Sequence, residues 1–268
     1  MEPVSVIHGS SPIILGQPHS GTYVPPDIER NLNDLGKELR DTDWHIPQLY
    51  DGLLDDVTVV RANFSRYVID ANRDPAGISL YPGQNTTSLV PISSFDDEPI
   101  WLLEPDEAEN ARRLDSFHRP YHAALKSEID RAKAAHGFAI LYDCHSIRCE
   151  IPHLFDNQLP DFNIGDNQGQ TCDPAITIAV ARQCESTNQY TSITNGRFKG
   201  GWTTRHYGRP EDGVHAIQME LAQRNYLASE EPPFAYDAGR AEALRGVLRN
   251  VLNAISNIAK AHSFGETL

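Results

Sequence analysis

Short apolar runs that stop abruptly at polar or histidine-bearing segments recur along the chain, and they read as strands buried on both faces of an α/β sheet. Pro12-Ile-Ile-Leu-Gly16 empties into Gln17-Pro-His-Ser-Gly21, and Phe138-Ala-Ile-Leu-Tyr142 runs into Asp143-Cys-His-Ser146. Val57 to Ala62, Arg66 to Ala71 and Tyr190 to Thr194 carry the β-branched or alternating character of further strands. In the last strand, Val214 to Leu221, the alternation sets His215, Ile217, Met219 and Leu221 on one face and Ala216, Gln218 and Glu220 on the other. Helical spacing takes over between Pro105 and the stop at Gly137, where Leu114, Phe117, Tyr121, Leu125, Ile129 and Ala132 recur on one side. It returns after Asp173-Pro174, with Ile176, Val180 and Cys184, and from about Asp237, where Ala241, Leu244, Leu248, Val251, Ile255 and Ile258 form a stripe able to cover a sheet. Residues 74–103, rich in Gly, Pro, Ser and Asn, predict a long loop that could lie over a site as a lid.

The chain has 268 residues, which is enough for one large α/β domain spanning 1–268. Its formal charge of −14 leaves no basic stripe with which to hold phosphates, so nucleic acid is not an expected partner. No apolar run reaches the length of a membrane span. Cysteines 144, 149, 172 and 184 show no CxxC pairing and there is no secretory leader, so reduced thiols in a cytoplasmic protein are expected. Cys144 should point away from His145 across the strand, as a small buried hydrophobe and not a nucleophile.

Against that acidic background the polar groups at strand ends stand out. His19 and His145 each follow an apolar strand, where open α/β sheets place ligands, and a rigid strand end suits a metal ligand. Arg40-Asp-Thr-Asp-Trp44 offers a carboxylate as third ligand, Asp43 in preference to Asp41, unless Thr42 or Asp43 merely caps the helix that follows. Three ligands and an open position are the arrangement of a hydrolytic zinc ion, with other divalent metals as alternatives. Glu220 in a largely apolar strand needs a charge or a metal beside it, and would serve as the general base. Arg66 and Arg73 could clamp a carboxylate, and Asn195, Lys199, Thr204 and His206 in a glycine-rich stretch are further donors for an anion. His118 and His122, one helical turn apart, lack the glutamate of the zincin pattern because Arg119 follows the first histidine; a structural or substrate-lining role is expected.

Pro18-His-Ser-Gly21, Asp41-Thr-Asp-Trp44, Ser65 to Arg73, Leu80-Tyr-Pro-Gly-Gln84, His118-Arg-Pro-Tyr-His122, Asp143-Cys-His-Ser146, Asn195 to Gly201 and Gln218-Met-Glu220 together resemble the N-formylglutamate amidohydrolase family, in order along nearly the whole chain. The resemblance implies hydrolysis of N-formyl-L-glutamate by water to formate and L-glutamate, as the last step of a bacterial route of histidine breakdown. It also implies a fold like that of the zinc carboxypeptidases, a three-layer sandwich in which a mixed, mainly parallel sheet is flanked by helices. By the same likeness His19 and His145 are zinc ligands, Glu220 is the base, and Asn72 with Arg73 holds a substrate carboxylate. The carboxypeptidase pattern has a glutamate ligand three residues after its first histidine, where this chain has Thr22, so the third ligand must come from elsewhere. A metal-dependent deacylase of another N-acyl amino acid, and a catalytically silent binder of an acidic metabolite, are the alternative readings.

Overall fold

A computed structural model describes residues 1–78 and 85–261. The strands are β1 (Val4–Ile7), β2 (Ile13–Gln17), β3 (Thr58–Ala62), β4 (Ala139–Ile147), β5 (Phe162–Gly165), β6 (Ser192–Thr194) and β7 (Val214–Ala222). They form one sheet in the order β1-β3-β2-β4-β7-β5-β6. The pairs β3–β2, β2–β4, β4–β7 and β5–β6 are parallel, while β1–β3 and β7–β5 are antiparallel. The sheet is thus mixed and mainly parallel, as the resemblance implies.

Short helices α1 (Pro26–Glu29), α2 (Asp34–Lys37) and α3 (Ile46–Tyr50) lie between β2 and β3. The long helical pattern is realised as α4 (Glu107–Arg113), a π-helical turn (Leu114–His118) and α5 (Arg119–His136), and the remaining helices are α6 (Pro174–Glu185), α7 (Trp202–Tyr207) and α8 (Ala238–Ala261). Asp106 caps α4 by accepting from the Glu109 amide, and Gly137, at a φ of 82° that only glycine adopts without strain, ends α5.

Alternation along the central strands sorts their side chains into two cores. Ile13, Leu15, Ile140, Tyr142, Ile217 and Met219 pack with α3, α6 and α8 on one face. Ile14, Val60, Leu141 and Ala216 pack with α5 and the apolar residues of the 64–71 segment on the other. Burial on both faces is why β4 and β7 carry apolar residues at nearly every position until their carboxyl ends. There Asp143, His145, Gln218 and Glu220 replace them on the α5 side, and the register pairs Asp143 with Gln218 and His145 with Glu220.

Three expectations fail. Arg66 to Ala71 forms no strand: Ser65 accepts from the Tyr67 and Val68 amides, Asp70 Oδ1 from the Asn72 amide, and these local bonds turn the chain where a ladder would extend it. The β-branched pattern misleads because Tyr67, Val68 and Ile69 bury themselves in the second core as a turn. Residues 202–207, expected as loop, form α7, and β1 and β5 have no counterpart in the hydrophobic pattern, being short. The Tyr81-Pro-Gly-Gln84 part of the expected lid lies outside the described residues.

Candidate metal centre and substrate cavity

His19 leaves the end of β2, and its carbonyl accepts from the Asp43 amide, so the two residues are fixed by backbone before their side chains meet. Asp43 does not cap α3: that position belongs to His45, whose side chain makes no capping bond. The Asp43 carboxylate instead reaches inward, where Oδ2 accepts from the Ser146 amide at 3.0 Å and lies 3.1 Å from His145 Nδ1 and 3.9 Å from His19 Nδ1. One ligand atom from each of His19, Asp43 and His145 lies within 4.8 Å of the others, and all three residues are buried. Asp41 points elsewhere, accepting from the Tyr67 hydroxyl and the Phe95 amide.

The outer nitrogens are held by further carboxylates. His19 Nε2 lies 2.7 Å from Asp70 Oδ1, and His145 Nε2 lies 3.3 Å from Asp143 Oδ2 and 3.1 Å from Asn72 Nδ2. A histidine whose Nε2–H is given to a carboxylate presents its Nδ1 lone pair inward, the usual second layer of a metal site. Asp43 Oδ1 is buried with no hydrogen-bond partner, with only Arg66 Nη1 at 3.6 Å for company. Two imidazole nitrogens beside Asp43 Oδ2, in a buried carboxylate whose other oxygen has no hydrogen-bond partner, are a donor set that fits a divalent cation.

Electrostatics follow from burial and from these neighbours. Burial and the Arg66 charge together push the His19 imidazole below its ordinary value. Burial pulls His145 the same way, yet Asp143 and Asp43 overcome it and raise the ring well above the usual histidine range. Against the upward push of burial, the charges of Arg73, His19 and Arg66 hold Asp70 well below the usual carboxylate range. Burial, aided by the nearby Asp43 charge and opposed by His145, pushes the Glu220 carboxyl up to about 8. Gln218 positions that carboxyl: its Nε2 donates to Glu220 Oε2 at 3.1 Å while its Oε1 accepts from the Gly201 amide at 2.6 Å.

A cavity of about 240 Å³ opens over this cluster, lined by His19, Asp43, His145 and Glu220 among others. Arg66, Asn72 and Arg73 also line it. Arg66 is committed to the site's own carboxylates, donating to Asp70 Oδ2 at 2.8 Å beneath the Phe95 ring, so it balances charge there. Asn72 accepts from the Thr203 amide at 2.8 Å, and a side chain on Gly201 would strike it at 2.3 Å, which explains the glycine.

The four donors expected from residues 195–206 do not line the cavity, which is a correction to the sequence reading. Asn195 closes a turn on Asp166, donating to its Oδ1 at 2.7 Å, and the Lys199 carbonyl accepts from the Asn167 amide. Thr204 donates to Asp143 Oδ2 at 3.1 Å from within α7, and exposed His206 stacks on Trp202 at 4.3 Å. Asn195 and Thr204 looked like donors for an anion because they were counted without the acceptors that the fold brings to them. The same stretch does supply a lining cation, Arg197, which the sequence reading passed over. His118 and His122 are not part of the metal cluster, and each has Nε2 on a backbone carbonyl, of Arg73 and Ala71 respectively.

A model of the N-formylglutamate amidohydrolase family matches residues 11–227. The N-formylglutamate deformylases of Pseudomonas aeruginosa and Pseudomonas putida are 44% and 43% identical to the chain, each over 95% of it and 96% of the relative. The crystal structure of N-formylglutamate amidohydrolase from Ralstonia eutropha superposes with a TM-score of 0.78 at 27% identity, covering 97% of this chain and 98% of that one. A gene product of Agrobacterium tumefaciens shares the fold at a TM-score of 0.72 and 20% identity, over 96% of each chain.

Proposed function

The chain belongs to the N-formylglutamate amidohydrolase family, and from that premise we propose that it hydrolyses N-formyl-L-glutamate to formate and L-glutamate, using one divalent ion, zinc by preference, held by His19, Asp43 and His145. The observation that carries the reading is the meeting of two strand-end histidines at one buried carboxylate, with Glu220 paired to His145 across neighbouring strands.

Bound there, the ion supplies Lewis acidity, making water acidic near neutral pH and polarising a carbonyl. The protein's own groups do the rest. Glu220, whose carboxyl lines the cavity beside the cluster, takes the proton of the attacking water and passes it to the amine nitrogen as the amide bond breaks. Gln218 keeps one oxygen of that carboxyl engaged so that the other faces the cavity. Asp70 and Asp143 keep the two imidazoles turned with Nδ1 inward. Arg73, next in chain to Asn72 beside His145, holds the carboxylate adjoining the scissile amide.

The buried free cysteines are in keeping with a reducing cytoplasm, where the enzyme would complete a route of histidine breakdown. Among the described residues no helix is long and apolar enough to cross a membrane. The test is a side-by-side assay of formyl-, acetyl- and succinyl-glutamate with zinc-loaded and chelator-stripped protein. Formate release from the first, lost on stripping and restored by zinc, is expected. Equal rates on all three would remove the deformylase assignment.

A further inference from the structure

Asp43 and His145 come from distant parts of the chain, and one buried side chain outside the metal cluster ties their immediate neighbours together. Gln223 follows the last residue of β7 and opens a short 3-10 helix, Gln223–Asn225. Its Nε2 donates to the Thr42 carbonyl at 2.9 Å and to Ser146 Oγ at 3.3 Å. The first of these bonds fixes which way the amide faces, because a carbonyl only accepts and the amide oxygen could not take the nitrogen's place beside it. Gln223, Thr42 and Ser146 are all buried, so both bonds are made away from bulk water.

Each partner of Gln223 stands next in chain to a candidate ligand. The Thr42 carbonyl also accepts from the Trp44 amide at 2.9 Å, which closes a three-residue turn with Asp43 at its centre. Ser146 follows His145, and its amide donates to Asp43 Oδ2 at 3.0 Å. The Ser146 hydroxyl oxygen accepts in addition from the hydroxyl of fully buried Tyr226 at 2.7 Å. Gln223 therefore joins the turn that carries Asp43 to the end of β4 that carries His145, and does so from the end of the strand that carries Glu220. Asp70 and Asp143 orient the imidazoles; Gln223 acts instead on the separation of the segments that bear the ligands.

We propose that Gln223 is a positioning residue of the metal centre: by holding the Thr42 carbonyl and Ser146 Oγ with one amide nitrogen, it sets the spacing of Asp43 and His145 at which a divalent ion binds. The proposal rests on the hydrolase reading above and on the ion that reading uses. A side chain of the same length without donors would leave Ser146 tied to the turn through the Asp43 carboxylate, which would then have to hold the loop as well as the ion. Affinity for the ion should fall before the fold does, since outer contacts of this kind act on the geometry of the ligands.

The experiment measures the zinc dissociation constant by competition with a chelator, and the thermal midpoint of the metal-free protein, for wild type, Gln223→Met and Thr177→Val. Thr177 is a buried residue of α6 whose hydroxyl donates to Asp166 Oδ2, so its variant also loses a buried bond but leaves the ligand-bearing segments untouched. Gln223→Met is expected to bind zinc about ten- to a hundredfold more weakly, and Thr177→Val to stay within about threefold of wild type whatever its thermal midpoint. With zinc saturating, Gln223→Met should lower kcat for N-formylglutamate by about tenfold and leave KM within about threefold. A weakening of less than about tenfold in Gln223→Met would overturn the proposal. So would an equal weakening in Thr177→Val, which would make affinity a reflection of stability, or a kinetic loss confined to KM. Should Gln223→Met fail to fold, Gln223→Asn, whose amide is one methylene too short to reach both partners, is read by the same criteria. Wild type that binds no zinc, or releases no formate from N-formylglutamate, would overturn the reading on which the proposal rests, a different result from active, zinc-binding wild type whose affinity does not depend on Gln223.

Discussion

Two pairs of histidines sit on the same side of the sheet, and they have become different things. His19 and His145 have ring centroids 5.0 Å apart, His118 and His122 4.4 Å apart, and all four side chains are nearly or fully buried. The first pair is surrounded by Asp43, Asp70 and Asp143; the second by backbone carbonyls and the rings of Trp202 and Tyr207. His122 uses both nitrogens, Nε2 on the Ala71 carbonyl at 2.7 Å and Nδ1 with the Tyr207 hydroxyl at 3.1 Å, so it has no lone pair to offer an ion. Burial pushes all four rings towards the neutral form. In the second pair nothing reverses it, and burial with the nearby His118 takes His122 down to about 3, whereas the carboxylates around His145 carry that ring well above the ordinary value. Spacing along a helix or position at a strand end therefore says less about a histidine than the oxygen atoms it meets.

The largest test of that contrast is activity. Asp43→Asn and Glu220→Gln are each expected to lower kcat on N-formylglutamate by about a thousandfold or more, since in the proposed mechanism they remove a ligand charge and the proton carrier. His122→Gln should stay within roughly tenfold of wild type. Next comes the response to metal. At free zinc about a thousand times its dissociation constant, binding to the folded chain alone stabilises by about 4 kcal/mol. The accompanying rise in thermal midpoint should vanish in His145→Asn and persist in His118→Gln; an equal loss in both would mean that the two pairs are not separate.

The contrast was partly legible in the residues themselves. His19 and His145 could be found because a parallel strand buried on both faces is apolar until its end, and the first polar residues mark the site edge. Glu220 declared itself by sitting in the same kind of strand. What could not be read was who meets whom across the chain. Thr204 looked like a donor for substrate and is spent on Asp143; Asn195 is spent on Asp166; Arg66 looked like a clamp and balances Asp70. Arg197 was hidden by equally plausible neighbours, and the turn at Arg66 to Ala71 by a β-branched pattern that its own Ser65 and Asp70 override. The misread donors concern partners supplied by tertiary structure, which local pattern does not contain, whereas the turn is made by local side-chain bonds that compete with the strand its β-branched residues suggest.

A smaller effect is expected in the stability of the second pair against acid. His122 has a folded pKa of about 3, set by burial first and then by the charges of His118 and His206, while the unfolded chain protonates it near 6.5. The sign follows from proton counting. As pH falls below 6.5 the unfolded state takes up a proton that the folded state refuses, so this histidine's contribution to stability is complete above 6.5 and declines steadily towards pH 3. Between pH 7 and pH 4 the loss is at most about 3 kcal/mol. His122→Gln cannot protonate, so urea midpoints at the two pH values should lie closer together in the variant than in wild type. Equal pH dependence in both would show that His122 is not held neutral.

The smallest effect is the most informative about how the pairs communicate. His118 arrives through the π-helical turn Leu114–His118, and its Nε2–H donates to the Arg73 carbonyl at 3.1 Å. His122, one turn on, serves the Ala71 carbonyl, so the two donors bracket Asn72, whose side chain lies against His145. His118→Phe keeps the ring and removes the donor, leaving a carbonyl short of a partner at a cost of about 1 kcal/mol. His118→Gln carries its amide nitrogen near the place of Nε2 and should restore much of that. If the bond steadies Arg73, the Phe variant should raise KM for N-formylglutamate by about threefold to tenfold, leave kcat nearly as it was, and hold zinc as wild type does. Loss of zinc from His118→Phe would mean that the bracket governs the first pair directly. An unchanged KM would mean that the second pair is packing alone, and the resemblance between the two clusters would then end at their rings.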